Sequence, residues 1–285
     1  LKIQGKTKIV GIFGYPVEHT LSPIMHNAVF EALDIPYLYL PFAVKPEILK
    51  EAIFAIRALD MVGANITIPH KVEAIKYLDD VTKEVKLIGS VNTIQHKGGK
   101  LIGHNTDGKG LVVSLKKDMG FRFQDKNVLL LGTGGSARAI LVELVLEGVK
   151  SILVANRTIS RGINFVEEFT EKFSQTRLSF IPLSDIKNEN DLSRIDLVIN
   201  STSLGMKGEE IYDLPLELLP AACVVYDIIY SPPRTKLLEA AAIRGLATQN
   251  GLGMLLHQGG LSFQIWTQRT PDLEIMKNSI ARVIA

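Results

Sequence analysis

The stretch Val128–Ala139 reads VLLLGTGGSARA. Its first four residues, Val128–Leu131, are all apolar, which predicts a strand of a sheet covered on both faces. A glycine turn follows, and Ser136–Glu147 then predicts a helix with Ile140, Leu141, Leu144 and Val145 on one face. Strand, glycine turn and helix are the context in which Gly132-x-Gly134-x-x-Ala137 marks a dinucleotide site. The first glycine allows the tight turn, and the second lets the backbone approach a pyrophosphate. The small third residue permits close packing of helix on strand. The helix N-terminus adds N–H groups and a partial positive charge. The candidate cofactor loop is therefore Gly132, Thr133, Gly134, Gly135, Ser136 and Ala137. A glycine turn that holds no ligand is the bland alternative.

The next strand outward, Ile152–Ala155, ends in Asn156-Arg157-Thr158. A chain that binds NAD usually carries Asp or Glu there to hold the ribose 2′-hydroxyl. Asn156, 24 residues after Gly132, stands in a segment with no carboxylate. Arg157 is forked and cationic, suited to a 2′-phosphate. Arg161 reaches the same face if a helix begins there. NADP is favoured over NAD, against the plain reading of two solvated arginines.

Further out, Leu197–Asn200 and Val224–Ile228 continue the strand series. Toward the N-terminus the chain alternates in the same way. Ile9–Phe13, Tyr37–Phe42 and Ala64–Ile68 read as strands. Pro23–Leu33, Glu47–Leu59 and a stretch from about His70 to Leu78 read as helices. Val91–Gln95 and Leu101–His104, joined by Lys97-Gly98-Gly99-Lys100, predict a hairpin whose glycines take positive φ. Leu111–Leu115 lies on a connecting helix. Met254–Gln268 and Pro271–Ala285 are helical and are expected to pack back on the first domain. The expected fold is α/β in two domains. An N-terminal α/β substrate domain with a mixed, mostly parallel sheet spans residues 1–107 and is completed by helices in 250–285. A Rossmann NADP-binding domain spans 108–249.

Composition narrows the function classes. The 285 residues are 46% hydrophobic and 22% charged, with a net charge of +2. This is ordinary for a soluble globular chain and excludes disorder, collagen and coiled coil as the main architecture. Without a dense basic run, neither nucleic acid nor a membrane is an expected partner. One cysteine, Cys223, excludes an internal disulfide and any Cys-rich zinc site. The first residues, LKIQGKTKIVGIFG, hold no long apolar run, so no signal peptide is expected and a cytoplasmic setting fits. The six histidines form no recognised metal spacing, and no metal is expected.

The motifs, taken in order, resemble the shikimate dehydrogenase family over essentially the whole chain. They are Gly14-Tyr15-Pro16 with Thr20-Leu21-Ser22-Pro23, then Asn65–Lys71, then Gly89–Thr93, then Asn105-Thr106-Asp107-Gly108. After the glycine turn come Asn156-Arg157-Thr158, Asn200-Ser201-Thr202, Asp227–Pro232 and Asn250–Met254 with Gln258. The resemblance implies NADPH-dependent reduction of 3-dehydroshikimate to shikimate, a step toward chorismate and the aromatic amino acids. It implies that Thr20 and Ser22 hold the substrate carboxylate, with Tyr230 reaching the same end. Thr67, Asn92, Asp107 and Gln258 line the ring hydroxyls, and Thr106 adds a hydroxyl to the same palette. On the cofactor side it implies Ser201, Thr202, Ile228, Gly251 and Met254, the last capping the nicotinamide. Thr20 departs from the family's usual Ser: the hydroxyl stays and a methyl is added, which weakens binding slightly. Ser90 and His104 also stand where other small or acidic residues are commoner.

Lys71 and Asp107 are the catalytic candidates. Ketone reduction needs hydride on carbon and a proton on oxygen. A cation at the carbonyl stabilises the developing alkoxide, and a lysine can give or take the proton. A carboxylate beside it orients the ammonium. The two are assigned jointly, since burial lowers a lysine pKa while a nearby Asp raises it. They stand 36 positions apart, so only the fold could join them. Each candidate has a bland reading. Ser22-Pro23 makes a good helix N-cap. Asn65 and Asn92 serve as turn residues or backbone satisfiers, Pro69-His70 as a helix start, Met254 and Trp266 as core. Cys223 is expected to be an inert core residue. Competing functions are a broader quinate/shikimate dehydrogenase, often NAD-using, and an NADPH-binding regulator without catalysis. A third is another two-domain oxidoreductase such as a methylene-tetrahydrofolate dehydrogenase. A small-molecule enzyme of this size could be a monomer or a homodimer.

Overall fold

The computed structural model describes residues 3–188, 190–206 and 214–284. The chain divides into two compact units, residues 1–110 with 256–285, and residues 111–255. In chain order the first unit runs β1 (Lys8–Gly14), α1 (Ser22–Ala32), β2 (Tyr37–Ala43), α2 (Leu49–Ala58), β3 (Gly63–Ile66), β4 (Asp80–Val81), α3 (Lys83–Ile88), β5 (Thr93–Lys97) and β6 (Lys100–His104). Helix α4 (Asp107–Met119) carries the chain into the second unit. There β7 (Asn127–Leu131), α5 (Gly135–Leu146), β8 (Ser151–Asn156), α6 (Ile159–Lys172), β9 (Arg177–Pro182), β10 (Leu197–Asn200), β11 (Val224–Asp227), α7 (Lys236–Ile243) and β12 (Ala247–Gln249) follow. Helix α8 (Leu252–Thr267) returns to the first unit, where α9 (Leu273–Ile284) lies along α1.

The first unit is built on a six-stranded sheet of order β2-β1-β3-β5-β6-β4. Its pairs β1/β2, β1/β3 and β4/β6 are parallel, and β3/β5 and β5/β6 are antiparallel. The hairpin β5–β6 turns on Gly98 and Gly99, with φ of +58° and +77°, as a two-residue turn of matching twist requires. One face of the sheet is closed by α2, which inserts Ile53 and Ile56 against Ala64, Ile66, Ile94 and Leu101. Each such side chain contributes on the order of 2 kcal/mol of burial.

The second unit has a six-stranded, wholly parallel sheet of order β12-β11-β10-β7-β8-β9. Numbered within the unit this is 3-2-1-4-5-6 read from β9, the doubly wound order. Val128 to Leu131 are each fully buried, in keeping with an apolar strand covered on both sides. Helix α5 differs from the one-faced helix that its sequence suggests: every residue from Ala139 to Val145 is buried. The order reverses between β7 and β10, and ligands of such sheets bind at the strand C-termini there.

The segment 70–78 is not the α-helix that the apolar spacing suggests. Only a 3-10 turn forms, Glu73–Tyr77. The Lys71 carbonyl instead accepts the Val91 amide at 2.8 Å, which takes it out of a helical ladder.

Candidate active site

Lys71 and Asp107 meet. Asp107 opens α4, and its amide donates to Asn105 Oδ1 at 3.0 Å. Asn105 is held in turn, donating through Nδ2 to Ser90 O at 2.9 Å and Ser90 Oγ at 3.2 Å. Lys71 follows a turn in which the His70 amide donates to Thr67 O at 2.9 Å and His70 Nε2 lies 2.7 Å from Val44 O. From there Lys71 Nζ donates to Asp107 Oδ2 at 2.5 Å, and the two side chains are 13% and 6% exposed. Desolvating such a pair costs several kcal/mol per ion, and its attraction seldom returns the cost as net stability. A pair kept in this setting points to chemistry.

Amides and hydroxyls fix the pair. Asn92 Nδ2 donates to Asp107 Oδ1 at 2.9 Å and to Thr106 Oγ1 at 2.8 Å, and Gln258 Oε1 lies 3.4 Å away. Asn92 Oδ1 accepts the Thr106 amide at 2.8 Å and the Thr93 hydroxyl at 3.0 Å, so the amide has one orientation. The fold thus joins Lys71, Asn92, Thr106, Asp107 and Gln258, five of the substrate candidates. Thr67 stands four residues before Lys71, its amide donating to Phe13 O at 2.9 Å. Thr20 and Ser22 are neighbours, with Thr20 Oγ1 accepting the Ser22 amide at 3.3 Å. Ser22 is not an N-cap: it is the first residue of α1, Leu21 holds the cap position, and no side chain caps the helix. Tyr230 belongs to the other unit.

The network extends beyond the substrate candidates to Tyr39, Asn65, Thr93 and Ser262. Asn65 sits on β3 and accepts the Tyr39 hydroxyl at 2.7 Å. Its Nδ2 donates to Asn92 O at 2.9 Å, Thr93 Oγ1 at 3.0 Å and Ser262 Oγ at 3.1 Å. Ser262 stands one helical turn after Gln258 on α8, a spacing that could have marked it. Nothing in its local sequence marks Tyr39. Trp266 packs as expected, donating from Nε1 to Ile94 O at 3.0 Å.

The second unit presents the dinucleotide turn. Gly132 has φ +103°, a conformation closed to most side chains. A Cβ there would lie 2.7 Å from Thr202 Cγ2 and 3.0 Å from Ser201 Oγ, whereas a Cβ on Gly134 would meet nothing within 4 Å. Gly134 caps α5, no side chain caps that helix, and its first turn holds no acidic residue. Space, dipole and the absence of competing negative charge fit a pyrophosphate. Ala137 is fully buried, as the third small residue should be. After β8, Asn156 Nδ2 donates to Thr158 O at 2.9 Å. Arg157 and Arg161 are both exposed, and α6 begins at Ile159 between them. This cationic edge fits a 2′-phosphate. Gly251 passes so close to Ile228 that a Cβ would lie 1.9 Å from its carbonyl oxygen. Met254 is 6% exposed, and its amide donates to Tyr226 Oη at 3.3 Å. Cys223 is fully buried and its thiol is pushed up to about 12 by desolvation, the condition of an inert thiol.

Among the described residues, no helix is long and apolar enough to cross a membrane. Family models of the shikimate dehydrogenase substrate binding domain, of shikimate / quinate 5-dehydrogenase and of the shikimate 5′-dehydrogenase C-terminal domain match residues 12–94, 114–230 and 251–280. The chain is 44% identical over 281 residues to the shikimate dehydrogenase (NADP(+)) of Citrifermentans bemidjiense, covering 99% of this chain and 97% of that one. It is similar to a crystal structure of shikimate dehydrogenase in complex with NADP+, with a TM-score of 0.91 and 42% identity over 100% of this chain and 98% of that one. It is also similar to the Thermus thermophilus shikimate 5-dehydrogenase in complex with NADP(H) and shikimate, with a TM-score of 0.85, 33% identity and 96% and 99% covered.

Proposed function

The chain belongs to the shikimate dehydrogenase family, and we propose that Lys71 and Asp107 are its catalytic pair in the NADP-linked interconversion of 3-dehydroshikimate and shikimate. It is an NADP-dependent oxidoreductase of the route to chorismate and the aromatic amino acids. When bound, NADPH supplies the hydride. The observation that carries the catalytic assignment is the 2.5 Å contact of Lys71 Nζ with Asp107 Oδ2 in a nearly dry setting.

The chemistry assigned to each residue follows. The Lys71 ammonium stands at the substrate oxygen and stabilises negative charge as the carbonyl becomes an alkoxide. Asp107 holds that ammonium in place, and the pair gives the proton that turns the alkoxide into the hydroxyl; in the oxidation direction the pair takes that proton back. Asn92 and Gln258 orient the ring hydroxyls, with Thr67 and Thr106 beside them. Thr20 and Ser22 take the carboxylate. The turn Gly132–Ala137 takes the pyrophosphate, Arg157 and Arg161 the 2′-phosphate with Asn156 and Thr158 beside it, and Ser201, Thr202, Ile228, Gly251 and Met254 the nicotinamide half. The first unit, residues 1–110 with 256–285, is then the substrate domain and the second, 111–255, the cofactor domain, with bounds a few residues beyond the 107 and 250 that the motifs suggest. The same reading places the enzyme in the cytoplasm, a monomer or homodimer acting on small molecules.

The test is an oxidation assay with shikimate and quinate, each with NADP and with NAD. Turnover of shikimate with NADP alone is the expected result. Equal turnover of quinate, or with NAD, would move the chain to the broader class that the shikimate / quinate match also describes. Silence in all four would overturn the catalytic assignment.

A further inference from the structure

A buried carboxylate stands in the second unit two strands from β7, whose end carries the dinucleotide turn. Asp227 ends β11 and is fully buried. Hydrogen-bond donors hold it. Its Oδ1 accepts from Asn200 Nδ2 at 3.0 Å and from the Ile229 amide at 3.0 Å, and its Oδ2 accepts the Thr235 hydroxyl at 2.8 Å. Asn200 ends β10 and relays the contact. Its Oδ1 accepts both the Thr202 amide at 3.0 Å and the Thr202 hydroxyl at 2.9 Å. Thr202 is the residue whose methyl abuts the face of Gly132, and Ser201 beside it donates through Oγ to Leu131 O at 2.6 Å. The Ile228 amide, one residue past Asp227, donates to Asn200 O at 3.0 Å.

We propose that Asp227 is a positioning residue for NADP: through Asn200 it ties the loops after β10 and β11 to the glycine turn after β7. This rests on the cofactor assignment above and names what holds those residues still. Desolvation of a carboxylate is costly, and burial pushes the Asp227 pKa up. What the group provides in return is two acceptor oxygens at fixed positions, joining the end of β10, the turn after β11 and the N-cap of α7. That is a geometric role, and an amide of the same shape can fill it. An asparagine would present its oxygen to Asn200 and Ile229 and its nitrogen to the Thr235 hydroxyl, which can accept as well as donate.

The experiment measures NADP+ affinity by titration calorimetry, with KM and kcat for shikimate, in the full-length enzyme. Asp227→Ala is expected to raise the NADP+ Kd about tenfold, the loss of roughly one strong hydrogen bond, with the shikimate KM unchanged. Asp227→Asn is expected to restore the affinity to within about threefold of the parent. Thr202→Val removes the other end of the relay while keeping its branch beside Gly132. The double variant Asp227→Ala/Thr202→Val should then be no weaker than the worse single one, since both cut one path. If Asp227→Ala does not fold, Asn200→Ser takes its place in the cycle. The proposal is overturned by additive losses, by a parallel rise in the shikimate KM, or by Asp227→Asn behaving like Asp227→Ala. Loss of NADP+ binding in the parent enzyme would instead sink the cofactor assignment on which it rests.

Discussion

At the scale of single residues, what matters is which buried polar groups have partners. Lys71 and Asp107 have each other, so Lys71→Ala leaves a carboxylate that is nearly dry and without its cation. Turnover is expected to fall by orders of magnitude while NADP affinity stays nearly unchanged, read from steady-state rates and cofactor titration. Near-normal turnover would remove Lys71 from the mechanism. His26 is the opposite case. It stacks on Tyr39 with ring centroids 4.5 Å apart, and among the described residues neither ring nitrogen has a hydrogen-bond partner. Desolvation holds its pKa down at about 3. Between that value and the ordinary 6.5 the unfolded chain binds the proton and the folded chain does not, so stability falls as pH falls through this window. The slope from this one group is at most about 1.4 kcal/mol per pH unit. His26→Phe keeps the ring and removes the titration. Its urea-unfolding stability should lose less between pH 6 and pH 4 than the parent's; an unchanged slope would show that His26 does not set it. The dyad was legible in the sequence because its two residues sit in dense motifs. The Tyr39–Asn65–Ser262 support was not, because its members come from three distant segments and only β-sheet register and a helical turn bring them together.

At the scale of elements, legibility followed burial. Strand β7 and the turn after it read directly, since a four-residue apolar run followed by two spaced glycines admits few other structures. Strands β9 and β12 sit at the two edges of the parallel sheet, and neither shows in an apolar pattern: RLSFIP mixes polar and apolar residues, and β12 is three residues long. An edge strand has one neighbour and need not be apolar throughout. The 70–78 stretch misled for another reason, since its apolar spacing suits one turn as well as three and a tertiary hydrogen bond decided. The glycine turn itself is testable. Gly132→Ala places a side chain at φ +103° and 2.7 Å from Thr202 Cγ2. It should cost about 1–3 kcal/mol of stability and weaken NADP together with it, checked by thermal unfolding and titration. Full affinity in that variant would mean that the loop does not approach the cofactor closely. At the end of β8, Arg157→Ala should weaken NADP much more than NAD, measured as the ratio of the two dissociation constants. An equal loss for both would refute its 2′-phosphate role.

At the scale of the whole molecule, each unit has its own sheet and its own apolar core. The chain passes out of the first unit through α4 and back into it through α8, so the first unit is closed only when the last helices are in place. If the proposed ligands bind one to each core, local opening should differ between the units. A ligand stabilises only the states that bind it, by about 2.7 kcal/mol at a hundredfold excess over Kd. Amide exchange therefore reports where each ligand acts. NADP+ alone should slow exchange at 132–137, 156–158 and 201–204. Shikimate alone should slow it at 20–22, 67–71, 92 and 105–107, all in the first unit. The assignment of substrate and cofactor to different units stands or falls on that separation. If NADP+ alone protected the segment around Asp107 as strongly as the turn after β7, the two halves of the site would not be divided as the motifs divide them. The dyad would then have to be read as part of the cofactor site.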